Sequence, residues 1–154
     1  MSEFRSLADA GAVDALVARL NALAPDSPRQ WGRMTVRQML CHISDSFEIV
    51  TGDRPVAKPV DNFLTRTVVK YIGLHTSLPW MKGAPTMQEC DAEKGGTPAS
   101  DFERDRARAI GLLRAFSSPA APSVPHPLFG PLTYDERMIW GYRHLDHHLR
   151  QFQS

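Results

Sequence analysis

The sequence is poor in several things that would each have pointed to a function. It has two cysteines in 154 residues, Cys41 and Cys90, too few for a disulfide framework. Eighteen basic residues against 17 acidic ones leave a formal net charge of +1, and no basic run is interleaved with aromatics. That balance argues against nucleic acid or an anionic membrane surface as partner. No apolar run is long enough to span a bilayer, and the opening "MSEFRSLADAGAV" lacks the apolar centre of a signal peptide. No stretch alternates with period two for long enough to make a strand. Phosphate loops, dinucleotide fingerprints and hydrolase serine motifs are missing too. The expectation is a reduced, cytoplasmic, single domain over residues 1–154.

What is present is helical periodicity. "AVDALVARLNAL" puts Val13, Leu16, Val17, Leu20 and Leu23 on one face and stops before Pro25. "MTVRQMLCHISDSFEIVTG" opens with a capping box from Thr35 and Gln38 and runs to Gly52, with Val36, Met39, Leu40, Ile43, Phe47 and Val50 as its stripe. A third helix is expected from a box of Ser100 and Glu103, with Phe102, Ile110, Leu113 and Phe116 on one face. A fourth starts from the box of Thr133 and Glu136 and carries Met138, Tyr142, Leu145, Leu149 and Phe152. The connection between the second and third, about residues 52 to 99, holds an extra amphipathic helix built on Leu64, Val68, Tyr71 and Ile72. The predicted fold is therefore all-α, a four-helix bundle with one long crossover.

The chain ends "YRHLDHHLRQFQS". With Leu145 at the centre of the buried stripe, an advance of about 100° per residue puts His148 roughly 60° and His144 roughly 100° to the same side, and His147 near 160°, towards solvent. His144 and His148 make an H-x-x-x-H pair whose imidazoles can converge on one cation. On the second helix His42 lies about 100° from Ile43 on the same rotational side, whereas Cys41, about 160° from the stripe, points away from the core. Three neutral imidazoles with an open fourth position suit Zn²⁺ first, and Ni²⁺ or Fe²⁺ as well. The competing reading is three unrelated histidines hydrogen-bonded at the edge of the core.

"WGRMTVRQMLCHISDSFE" and "HPLFGPLTYDERMIWGYRHLDHHLRQF" resemble the DinB/YfiT-like superfamily of four-helix-bundle metalloproteins, in particular a branch labelled only as a domain of unknown function. The resemblance covers both His-bearing helices and nearly the whole helix order. It implies a site in which a second-helix histidine joins an H-x-x-x-H pair on the last helix, here His42 with His144 and His148. It also implies thiol-dependent transfer or isomerisation with a low-molecular-weight thiol as cosubstrate. A metal there could equally activate water for hydrolysis.

Gln38 and Ser46, one turn either side of His42, and Gly141, before His144, are the expected supports of the ligands. Arg137 is a candidate to hold a substrate carboxylate or phosphate, against the alternative of a surface ion pair. His126, in "HPLFGPL", is a substrate-side candidate, against the alternative that it packs its loop. His75 is expected at the core or an interface, Asp146 and Arg150 as an exposed i, i+4 pair, and Trp31, Trp80 and Trp140 as packing anchors. The alternative function is a non-catalytic bundle that binds a metal or a small ligand, or pairs as a homodimer through the crossover helix.

Overall fold

The computed structural model of the chain describes residues 5–154. Met1–Phe4, the start of the stretch read as carrying no leader, lie outside them. The described residues are helical and contain no strand; an isolated bridge pairs His126 with Gly130. The helices are α1 (Ala12–Ala22), α2 (Val36–Thr51), α3 (Lys70–His75, continuing a π-helical segment Thr65–Val69), α4 (Phe102–Phe116) and α5 (Tyr134–Gln151). None is long and apolar enough to cross a membrane.

Both capping boxes that frame the histidine helices form as read. The Thr35 side chain accepts from the Gln38 amide, and Gln38 Oε1 accepts from Thr35 N; Thr133 and Glu136 do the same at α5. Gly52 ends α2 in the left-handed region at φ 92°, donating back to the Glu48 and Ile49 carbonyls. For α4 the cap is one residue later than expected. Asp101 accepts from the Arg104 amide, while the Ser100 amide and hydroxyl donate to the buried Asp105 carboxylate.

The core collects the expected stripes of α1, α2, α4 and α5, with Leu20, Met39, Leu113, Met138 and Leu145 fully buried. α2 packs most extensively on α4, and α5 packs on α1, α2 and α3. Because α4 and the Gln88–Cys90 turn cover its outer side, α2 is buried almost all round. Cys41 is therefore inside, which corrects the outward position read from the wheel.

The crossover helix forms and turns its apolar stripe outward. Leu64, Val68, Tyr71 and Ile72 are exposed. The side that docks carries Lys70, Gly73 and Leu74. Lys70 pairs with Glu136 at 2.8 Å and donates to the Pro131 carbonyl, Gly73 lies against the Phe129 ring, and Leu74 is buried. A side chain in place of Gly73 would come within 3.2 Å of that ring, so the glycine allows the close approach. His75, expected at the core or an interface, is half-buried, pairing with Glu136 at 3.2 Å and stacking on Tyr71.

Candidate metal centre

α2 and α5 bring three imidazoles together. His42, His144 and His148 each offer one ligand atom, all within 4.8 Å of one another. The residues are only 7%, 8% and 9% exposed. His42 Nε2 and His144 Nε2 are 3.1 Å apart. Two nitrogens on one tetrahedral zinc, each about 2.05 Å from it, would be separated by about 3.3 Å.

Second contacts fix which nitrogen of each ring is free. His42 Nδ1 donates to the Cys90 carbonyl at 3.0 Å, leaving a lone pair on Nε2. Gln151 Nε2 donates to the Trp31 carbonyl at 2.9 Å, so its Oε1 accepts from His148 Nδ1 at 3.1 Å and His148 Nε2 is likewise free. His144 is different: its Nδ1 is buried with no hydrogen-bond partner among the described residues. If that nitrogen is protonated, two lone pairs face each other across 3.1 Å. If it is not, a buried acceptor is left bare. Protein groups alone satisfy neither state, and a cation between the Nε2 atoms removes the lone-pair conflict of the first. Burial, and then the neighbouring imidazoles, hold His144 and His148 well below the ordinary histidine range; burial lowers His42 as well. Neutral imidazole is the form that ligates. On these observations the donor set fits a divalent metal.

A buried ion-pair network holds the Cys90 carbonyl in place. Asp45, fully buried one turn after His42, accepts from Arg54 at 2.9 Å, Arg108 at 3.0 Å, and the Thr97 amide and hydroxyl at 2.7 Å each. The segment from Cys90 to Thr97 is thereby tied to α2. Neither Asp45, Gln151 nor the Cys90 carbonyl was among the residues expected from sequence. Gln151 could have been found as the residue three after His148; Asp45, flanked by Ser44 and Ser46, does not stand out in its turn, and a backbone carbonyl leaves no signal.

The expected supports sit elsewhere. Gln38 is used by its cap and by Glu93, 3.1 Å from its Nε2. Ser46 donates to the His42 carbonyl at 2.7 Å and so touches that residue's backbone, not its ring. Gly141 faces Leu7 and Phe116: a Cβ there would lie 2.6 and 2.7 Å from them, so the glycine serves helix packing. Arg137, two turns before His144, is buried and donates to the Ser118, Ala121 and Pro122 carbonyls. It holds the loop before α5, neither at the triad nor in a surface pair. His126 Nδ1 accepts from the Leu128 and Phe129 amides at 3.1 and 3.2 Å, and its ring packs on Phe129 and Trp140. Trp140 in turn touches His144, so one indole separates His126 from the triad. Burial pushes the His126 pKa down to about 3.

Trp80 and His147 stand between the triad and the outside. Trp80 lies 6.0 Å from the His144 ring and 6.2 Å from His147, and His147 lies 5.2 Å from His148. His147, expected in solvent, is half-buried by Trp31 and Trp80. Both residues also line a surface cleft of about 300 Å³ with Arg5, Tyr142, Arg143 and Arg150. Arg143 donates to the Thr76 and Leu78 carbonyls and sits over the Trp80 ring, which fixes that segment. Asp146 and Arg150 make the expected i, i+4 pair at 2.9 Å, but Asp146 is only 18% exposed and also binds Arg19. Burial pushes the thiols of Cys41 and Cys90 up to about 12 and about 11, so neither is a ready nucleophile.

A model of a protein family described only as of unknown function, DUF1569, matches residues 1–154. No curated protein and no solved structure matches the chain.

Proposed function

We propose, on the premise that the chain belongs to the DUF1569 family, that it is a divalent-metal-dependent enzyme acting on a small molecule, with His42, His144 and His148 as ligands. One observation carries this reading: three buried neutral imidazoles converge, and among the described residues no cysteine or carboxylate joins them. Structural zinc sites close all four positions with protein groups, whereas a three-histidine set leaves one for water or substrate. The resemblance of both histidine helices to DinB/YfiT-like metalloproteins supports the same assignment.

A divalent cation in this set would supply Lewis acidity, bringing the pKa of a thiol or a water at the open position towards neutrality. The chain's own residues do the rest. The Cys90 carbonyl and Gln151 hold two rings with Nε2 inward, and Trp80 with His147 keeps bulk water off the triad. Both cysteines are buried, so a thiol in the reaction comes from outside as a cosubstrate of low molecular weight. Transfer of that thiol to a small electrophile is the preferred reaction, with hydrolysis as the other. Zinc is the preferred metal, with nickel and iron also suited to imidazole donors.

The test is metal content by mass spectrometry on untagged protein, with His42→Ala and His147→Ala variants beside it. Near-stoichiometric metal, lost in His42→Ala and kept in His147→Ala, is expected. Wild-type protein that takes up no metal even on reconstitution would sink the proposal. The deep burial of the three rings favours a second reading, a closed non-catalytic metal site. Cobalt-substituted protein separates the two: a visible spectrum that shifts when a small thiol is added marks an open position, and an unmoved spectrum a closed one.

A further inference from the structure

Of the large apolar side chains that stay exposed among the described residues, nine of eleven fall between Val60 and Met81. Six of these belong to one helical stretch, and five of the six, Phe63, Leu64, Val68, Tyr71 and Ile72, are 44% to 84% exposed. The stretch is turned inside out. Lys70 on Glu136, the Arg66 stem over Gly130 and the buried Leu74 lie on the protein, while the other large apolar side chains of the stretch face away. Scattered exposed apolar residues are ordinary, but a contiguous stripe is not. On ordinary side-chain areas these five present about 550 Å², near the top of what a monomer usually shows.

We propose that this stripe is a homodimer interface, covered by the same stripe of a second copy. The area is the first argument. Paired across two copies, the five side chains would remove about 1,100 Å² from water, just above the roughly 1,000 Å² that a biological interface must clear. Charge is the second. The two basic groups of the helical stretch are paired within the chain, Arg66 with Asp61 and Lys70 with Glu136. A like surface therefore meets little repulsion from them, and they hold an anionic membrane less than free cations would. Shape is the third: Leu64, Val68 and Ile72, at i, i+4 and i+8, form a ridge that packs on its own copy across a two-fold axis. This inference does not depend on the metal.

The test is sedimentation velocity of the full chain over a wide concentration range, for wild type and for a Phe63→Glu/Tyr71→Glu variant. Both residues are well exposed, so the variant should keep its helicity, melting temperature and metal uptake. Around a two-fold axis each glutamate is repeated on the partner, so the dimer should weaken at least about a hundred-fold. A wild type that stays monomeric throughout, or a dimer that survives the double substitution, would overturn the proposal. Flotation with phosphatidylcholine vesicles, alone and with phosphatidylglycerol, adds a third arm. A monomer that binds vesicles through Phe63 and Tyr71 would assign the stripe to a membrane and likewise overturn it.

Discussion

His148 Nδ1 and Gln151 Oε1 lie 3.1 Å apart, and the Gln151 amide is itself held by the Trp31 carbonyl. A side chain one turn beyond the ligand thus decides which nitrogen of His148 faces the other two rings. The Cys90 carbonyl does the same for His42.

Gln151→Ala removes that orientation and leaves the ligand free to turn. Loss of a contact of this kind typically lowers metal affinity about ten- to a hundred-fold. Competition with a chelator on the reconstituted protein should show this drop with little change in helicity. An affinity equal to the wild type would mean that packing alone orients His148.

Asp45 tests the link between the crossover and the site. Its carboxylate is fully buried and accepts from Arg54, Arg108 and Thr97. Removing one member of a buried ion network leaves its partners uncompensated, at a cost of about 3–5 kcal/mol. Both arginines keep some exposure, so Asp45→Ala should fall near about 3 kcal/mol in urea unfolding. Metal affinity should fall too, because the segment carrying the Cys90 carbonyl is no longer tied down.

Gly141 separates a packing role from a site role. A methyl there would collide with Leu7 and Phe116. Gly141→Ala should therefore destabilise by about 1–3 kcal/mol through overpacking, partly offset by the better helix propensity of alanine. Metal content should stay that of the wild type. A variant of unchanged stability that lost its metal would return Gly141 to the site.

The direction of each histidine was legible in the sequence because its determinants are local, while the meeting of the three was implied by the resemblance. Capping boxes fix the start of α2 and of α5, and the 3.6-residue period then sets the direction of His42, His144 and His148. The parts that were not legible depend on segments meeting from afar. Cys41 is buried because α4 and the 88–90 turn cover the far side of α2, which the period of α2 alone does not record. Arg137 has the chemistry of an anion clamp, but the loop carbonyls that occupy it come from residues 118–122. The crossover helix shows the limit most plainly. Its apolar stripe was correctly located, yet a stripe says only that it needs cover, not that the same chain supplies it.

His126 carries the remaining prediction, on acid stability. Its ring is buried and held neutral in the folded protein, with a pKa of about 3, against about 6.5 for an unfolded chain. The sign follows from proton counts. Between those two values the unfolded state binds a proton that the native state does not, so stability falls as pH falls, by up to about 1.4 kcal/mol per pH unit. His126→Asn keeps an acceptor for the Leu128 and Phe129 amides and removes the titration. At neutral pH the variant should be the less stable, because it gives up the ring's packing on Phe129 and Trp140. Its deficit relative to wild type should shrink as pH is lowered from about 6.5 towards about 4. Urea unfolding of both proteins across that range measures the difference directly and cancels the titration of the triad, which they share. A deficit that stays constant with pH would show that His126 accepts its proton in the folded state, and that the loop opens to let it do so.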